Sequence, residues 1–277
     1  MYAMTNSSVL IFTDLDGSLL NHNNFDFKKI KGFILNCISR GIKIIPNTSK
    51  THTEINIFFD QLGQRLPFVC ENGAAIHNLN LLHPEIKSEE SSLIFSRSLN
   101  EILEVFKNNI PIEFQKKCIF VKDMSPKDQM DVLGLNDKFL PHALNREYSM
   151  PLIFEGSKDT IIEFTTLLKK NGMKLHEGGR VLNICDNCSK GKAMKILIKM
   201  LNDNFNLKTH TIVVGDSPND ISMLNDCDQP CVIPLPGNRN LIELKDHKII
   251  RATKSAPDGW EEVVRNSLKK INFDLEG

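Results

Sequence analysis

The chain lacks an excess of charge of either sign: its 277 residues carry 34 basic and 34 acidic side chains, a formal net charge of zero. Without a bulk field there is no built-in attraction for nucleic acid or an anionic membrane surface, so neither is expected as a partner. Also missing is any run of the roughly 18 unbroken apolar residues that a membrane span needs. The opening stretch, Met1 to Ser8, is short and polar, and an untargeted, soluble, cytoplasmic protein is the expectation. No disulfide framework is visible, because seven cysteines, an odd number, are spread over a long chain and suit reduced thiols better. Cys185/Cys188 and Cys227/Cys231 are spaced like half-sites for zinc, yet each pair lies beside an apolar run, so core packing is the expected role. Internal repeats and low-complexity tracts are absent too, so neither a solenoid nor a tail-like linker is expected.

What is present is a rhythm. Ser8-Val9-Leu10-Ile11-Phe12-Thr13 is a short apolar run that stops at two aspartates and a glycine, as a buried parallel strand does. Phe27, Ile30, Phe33, Ile34, Cys37 and Ile38 then recur at helical spacing, and Gly41 closes the helix. Strand Ile42 to Ile45, helix Thr51 to Leu62 and strand Phe68 to Cys70 repeat the pattern, and such alternation predicts a parallel sheet with right-handed crossovers. From about His83 to Asp186 the rhythm changes. Helices are predicted near Leu99 to Asn108, Pro126 to Leu133 and Lys158 to Lys170, with strands near Ile119, Leu152, Lys174 and Val181, the last two forming a hairpin around Gly178-Gly179. The first rhythm then resumes with helix Lys190 to Leu201, strand Thr209 to Val214, helix Ser217 to Leu224, strands Cys231 to Ile233 and Lys248 to Ile250, and helix Gly259 to Leu268. The expected fold is therefore α/β, a Rossmann-like parallel-sheet core from residues 1–82 and 187–277, with an inserted α+β cap domain, residues 83–186. A length of 277 residues allows two such cores.

Four patches fall at strand ends or helix starts of that core. Asp14 and Asp16 lie two apart at the end of the first strand, so both side chains can converge beyond the carboxyl edge of the sheet, where open α/β sheets bind ligands. One carboxylate there can attack phosphorus and the other can handle protons; the alternative for Asp-Leu-Asp-Gly read alone is a turn. Thr48-Ser49-Lys50 precedes a helix start, which favours an anion and is equally an ordinary cap. Lys190 opens a helix, where its charge opposes the macrodipole unless an anion sits nearby. Gly215-Asp216-Ser217-Pro218-Asn219-Asp220 follows an apolar strand and brings two more carboxylates toward the same mouth. Four carboxylates in one place need a cation, and oxygen ligands suit Mg²⁺.

With these patches in hand, the sequence resembles a haloacid dehalogenase-type phosphatase, a family marked by Asp-x-Asp-Gly-Thr/Ser, a Thr/Ser strand end, a Lys and a Gly-Asp-x-x-Asn-Asp segment. Ser18 stands where the family more often has threonine, and the hydroxyl survives. The resemblance implies Asp14 as nucleophile, Asp16 as acid/base, and Thr48 and Lys190 as phosphate ligands. It also implies a Mg²⁺ site at Asp216 and the Asp14 carboxylate, joined by the Asp16 backbone carbonyl, with Asn219 and Asp220 as supporting ligands. More narrowly, Pro46-Asn47-Thr48-Ser49-Lys50-Thr51, Glu71-Asn72-Gly73-Ala74-Ala75-Ile76, Arg146-Glu147-Tyr148-Ser149-Met150-Pro151, Gly178-Gly179-Arg180 and Pro257-Asp258-Gly259-Trp260 are similar to mannosyl-3-phosphoglycerate phosphatases. That likeness implies a phosphorylated sugar-glycerate as substrate and a setting in compatible-solute synthesis; a monomer or homodimer is expected. Arg146, Arg180 and the Gly178 and Gly179 amides would then hold the anionic glycerate, with Ser49, Lys50 and Asn72 lining the core side. Phosphatases for glucosyl-3-phosphoglycerate or sucrose phosphate, a sugar phosphomutase and a non-catalytic binding module remain as alternatives.

Overall fold

The computed structural model describes residues 7–178, 180–237 and 248–275. In chain order the strands are β1 (Ser7–Thr13), β2 (Lys43–Pro46), β3 (Phe68–Cys70), β4 (Ala75–His77), β5 (Leu93–Ile94) and β6 (Cys118–Phe120). They continue with β7 (Ser149–Phe154), β8 (Met173–Glu177), β9 (Leu182–Asp186), β10 (Lys208–Gly215), β11 (Gln229–Val232) and β12 (Ile250–Arg251).

Five of them form an all-parallel sheet in the order β12-β11-β10-β1-β2. Its strands read as nearly continuous apolar runs because both faces are covered. Ile11, Ile44, Ile212, Val214 and Cys231 point into one apolar cluster, with Phe33, Ile55, Phe59 and Trp260 from the flanking helices. Leu10, Phe12, Ile45, Val213 and Val232 point the other way, onto Ala193, Met194, Leu197 and Leu201 of the helix Lys190–Phe205. Each fully buried side chain of this kind contributes about 1.5–3 kcal/mol. Strand order reverses between β1 and β10, so the crevice beyond their carboxyl ends is the switch point where such sheets bind ligands.

Local chemistry sets the helix starts around that crevice. Helix His52–Leu62 begins at a reciprocal cap: Thr51 Oγ1 accepts from the Glu54 N–H at 3.2 Å, and Glu54 Oε2 accepts from the Thr51 N–H at 2.9 Å. It stops at Gly63, whose φ of 77° is left-handed. Trp260, with no exposed surface, donates from Nε1 to Thr13 Oγ1 at 2.9 Å and so ties the helix Asp258–Lys270 to the end of β1.

Between β5 and the helix Lys190–Phe205 the chain builds a separate antiparallel sheet, β6-β7-β9-β8. One face packs Met150, Leu152, Met173 and Ile184 onto Ile102, Phe106, Phe164 and Leu168 of two helices, Leu99–Asn109 and Lys158–Lys170. The opposite face carries Pro151, His176 and Asn183 side by side. The expected hairpin is present as β8 and β9; Gly179 in its turn lies outside the described residues. A small sheet β3-β4-β5 joins the two parts.

One expectation changes, and the cysteines keep the packing role expected of them. Ser217 to Leu224 is not one helix but a 3₁₀ turn, Pro218–Asp220, followed by a short helix, Ile221–Leu224. The Asp220 carboxylate turns back to accept from the N–H groups of Asp216 (3.0 Å) and Ser217 (3.1 Å), which tightens the turn. The cysteines do not gather as a zinc site. Cys188 Sγ lies 3.5 Å from Cys185 Sγ, while Cys227 donates to the Leu224 carbonyl and Cys231 pairs with Ser267. Burial pushes the Cys231 thiol up to about 12, as packing into apolar surroundings requires.

Candidate active site

Asp14 follows β1 directly and its N–H still donates to the Val214 carbonyl (2.9 Å), so the ladder carries its side chain to the sheet edge. Leu15 is fully buried and Asp16 faces the cleft with 37 % of its side chain exposed. Gly17 has φ 83°, and a Cβ there would lie 2.8 Å from Asp216 Oδ2, so only glycine lets the two loops touch. Ser18 Oγ donates to Asp216 Oδ1 at 2.7 Å. The serine hydroxyl therefore joins two loops that are 198 residues apart.

Asp14, Asp216 and Asp220 are buried and offer ligand oxygens that all lie within 4.8 Å of one another. Lys190, with no exposed surface, places Nζ 2.7 Å from Asp14 Oδ1 and 2.6 Å from Asp220 Oδ1. Burial alone would lower the pKa of this lysine; the two carboxylates outweigh it and hold the ammonium charged. The anions that Lys190 needs at a helix start are thus supplied by the protein. Three carboxylates against one ammonium leave two negative charges over. Asp216 bears the consequence: burial, then Asp14 and Asp220, push its pKa well above the usual carboxylate range. A buried, oxygen-only donor set with two charges unbalanced fits a hard divalent cation.

Beside this cluster a second lysine spans two carboxylates. Lys50 Nζ lies 2.8 Å from Asp16 Oδ2 and 3.2 Å from Glu54 Oε1. Asp16 Oδ1 has no hydrogen-bond partner in the protein, and burial, only partly offset by Lys50, raises the Asp16 pKa. A carboxyl that holds its proton more tightly than usual, with one oxygen free, is suited to give a proton to a leaving group. Asp14, Asp16, Ser49, Lys50, Arg146, Gly178, Arg180, Asp216 and Asn219 all line one cleft.

With this geometry in place, comparison with known proteins is decisive for the family. Residues 11–234 match the family of haloacid dehalogenase-like hydrolases. The chain belongs to that family. A glucosyl-3-phosphoglycerate/mannosyl-3-phosphoglycerate phosphatase from Persephonella marina is 30 % identical over 95 % of this chain and 98 % of its own. A protein of the same name from Methanococcoides burtonii is 26 % identical over 95 % and 98 %. Among solved structures, a haloacid dehalogenase-like hydrolase from B. subtilis superposes with a TM-score of 0.63, 17 % identity, and 95 % and 99 % coverage. The sucrose-phosphatase of a Synechocystis species, solved with sucrose and phosphate, gives 0.59, 14 % identity, and 96 % and 98 % coverage. The chain is an enzyme, a phosphoric monoester hydrolase.

In this hydrolase the remaining candidates fall into two groups. Thr48, Asn72, Lys190 and Asp220 sit behind the cleft wall, each 1 % exposed or less. Thr48 Oγ1 accepts from the Lys50 N–H at 3.3 Å, and Asn72 Oδ1 accepts from Asn219 Nδ2 at 3.0 Å, leaving Asn72 Nδ2 without a partner. Asn219 Oδ1 also accepts from Ser217 Oγ (2.7 Å), so the Asn219 amide braces the loop; the Asp16 carboxylate is not one of the three clustered acidic side chains. The arginines bridge the two sheets. Arg146 Nη1 donates to the Ser49 carbonyl (3.2 Å) and to Ser149 Oγ (2.9 Å); Arg180 donates to the carbonyls of His22 (2.7 Å) and Leu133 (2.9 Å).

Sequence reasoning passed over three residues here. Glu54 was visible as the fourth residue of a Thr-x-x-Glu capping box. Glu71, fully inside, accepts from the N–H groups of Glu147 (2.9 Å) and Tyr148 (3.1 Å) and from Ser149 Oγ (2.6 Å), a clamp that no local signal announces. Asn183 lines the cleft from β9, and only the register of the hairpin decides that it faces inward.

Proposed function

We propose that this hydrolase removes the phosphate of a glycosylated 3-phosphoglycerate, mannosyl-3-phosphoglycerate first, through an aspartyl-phosphate on Asp14 and with Mg²⁺ as cofactor. The observation that carries the reading is the pairing of a lysine-held Asp14 with an Asp16 oxygen that has no protein partner, in one cleft. The name shared by the two curated relatives supports the substrate class.

Asp14, Asp216 and the Asp16 backbone carbonyl would hold the Mg²⁺, which when bound supplies charge neutralisation at the phosphoryl oxygens. Lys190 orients the Asp14 carboxylate through Oδ1, leaving Oδ2 to attack phosphorus in line. As the new P–O bond forms, the ester P–O bond breaks, and the leaving oxygen takes a proton from Asp16. Asp16, now a carboxylate beside Lys50, takes a proton from water; that water cleaves the acyl phosphate, releasing inorganic phosphate and restoring Asp14. Residues 83–186 act as a cap over residues 1–82 and 187–277, excluding bulk water while Arg146, Arg180 and the hairpin turn hold the glycerate. The seven free cysteines support a reducing, cytoplasmic setting.

The test is phosphate release from mannosyl-3-phosphoglycerate, glucosyl-3-phosphoglycerate and sucrose phosphate, with and without EDTA. Fastest turnover of a glycosylated phosphoglycerate, abolished by EDTA and restored by Mg²⁺, is the expected result. Turnover that survives metal removal overturns the cofactor reading, and isomer interconversion without phosphate release overturns hydrolysis. The glucosyl substrate is the second reading, favoured by the double name of the relatives.

A further inference from the structure

The cleft is walled on one side by the second sheet, and one side chain there is left unsatisfied. Asn183 is 4 % exposed and lines the cleft, yet its buried Oδ1 has no hydrogen-bond partner. The register explains why. Its neighbours across the sheet are Pro151 on β7 and His176 on β8. Proline brings no side-chain donor, and the His176 ring nitrogen Nε2 is taken up by the Cys188 carbonyl at 3.1 Å. Among the described residues of the turn, Gly178 lies beside the amide and brings no side chain: a Cβ built there would be 3.8 Å from Asn183 Nδ2.

Buried amides are nearly always paired, and one that is not marks a place where a partner arrives from outside. An orphaned acceptor needs a donor. On the substrate class argued above, the phosphate and carboxylate oxygens are acceptors only, and the donors are the hydroxyl groups of the sugar. Cations elsewhere in the same cleft, Lys50, Arg146 and Arg180, suit the charged half of the molecule.

We propose that Asn183 is a specificity residue that accepts a hydrogen bond from a sugar hydroxyl, making the inner face of β9 the glycosyl subsite. The proposal rests on the reading that the substrate carries a sugar, and it goes further by assigning the neutral and charged halves of the cleft. Losing a hydrogen bond of this kind costs roughly tenfold to a hundredfold in specificity.

The experiment compares wild type with Asn183→Ala and the near-isosteric Asn183→Leu on mannosyl-3-phosphoglycerate and on 3-phosphoglycerate, which keeps phosphate and carboxylate but has no sugar. Both variants should lose at least tenfold more kcat/KM on the glycosylated substrate than on 3-phosphoglycerate, chiefly through KM. Their melting temperatures should equal or exceed that of wild type, because the amide makes no internal bond to lose. Equal losses on both substrates, or a clear fall in melting temperature in both variants, overturns the assignment. If wild type turns over no glycosylated phosphoglycerate, the substrate reading falls separately. The same ratio is then taken between the best sugar phosphate of the panel and p-nitrophenyl phosphate, and a ratio unchanged by either variant sinks the subsite.

Discussion

The two walls of the cleft are built on opposite plans. At the ends of β1 and β10, Asp14, Asp220 and Lys190 satisfy one another at 2.6–2.7 Å, out of solvent, and Ser18 and Asp216 lock the loops behind them. Across the cleft, Arg146 and Arg180 spend donors on backbone carbonyls of the facing part, and Asn183 keeps an oxygen unpaired. The cluster around Lys190 is pre-assembled but carries excess negative charge, which on the proposed reading suits a cation and the phosphoryl group it would neutralise. A face with open valences is free to read what differs between substrates. On the proposed reading, chemistry belongs to the parallel sheet and selection to the antiparallel one.

The sharpest way to break the comparison is Asp14→Asn. It removes the nucleophile with hardly a change in shape, so turnover should fall by about 10⁴-fold or more while the melting curve stays near wild type. Comparable activity in a well-folded variant would move the chemistry elsewhere. Lys190→Met comes next. It strands two buried carboxylates, and we expect a loss of about 10²- to 10³-fold in kcat together with roughly 3–5 kcal/mol of stability in urea titrations. A variant that loses activity without losing stability would show that the cluster is not the pre-paired unit described.

Glu71→Gln probes the seam between the walls. The amide NH2 that replaces one carboxylate oxygen would face either the Glu147 or the Tyr148 N–H, donor against donor, costing about 1–3 kcal/mol. KM for a sugar-bearing substrate should rise more than kcat falls; the reverse would put Glu71 with the chemistry.

The last test uses pH. Burial, then Lys174, lowers the His176 pKa to about 3, against an ordinary value of 6.5. Its folded-state pKa is depressed, so the unfolded chain binds the proton first. Stability is therefore complete above the unfolded pKa and lost as pH falls from about 6.5 toward 3. Between pH 7 and pH 5 the loss is about 2 kcal/mol, measurable by urea titration and absent in His176→Phe. If the variant shows the same pH slope as wild type, the second sheet is less tightly closed around His176 than its 5 % exposure implies.

The legibility of the two walls in the sequence differs for the same reason that their construction does. The parallel core could be read because each strand is a compact apolar run ending in a polar patch; in the inserted part only helices such as Pro126–Leu133 and Lys158–Lys170 carry their own start and stop signals. Segment Ser217 to Leu224 was misjudged because the Asp220 side chain, not helical periodicity, decides its backbone.

By itself the sequence did not show β4 and β5, but it determined the strands of the parallel sheet and the polar residues that end them, and so pointed Asp14, Lys190 and Asp216 toward one sheet edge. Local patterning and a parallel topology leave no other place for them. Tertiary structure alone decided that Lys190 shares its charge between Asp14 and Asp220, that Lys50 joins Asp16 to Glu54, that Glu71 reaches the start of β7, and that Asn183 faces the cleft unpaired. Those facts depend on distances between segments as many as 176 residues apart and on a register of period two. Neither distance nor register is encoded in any one stretch of the chain.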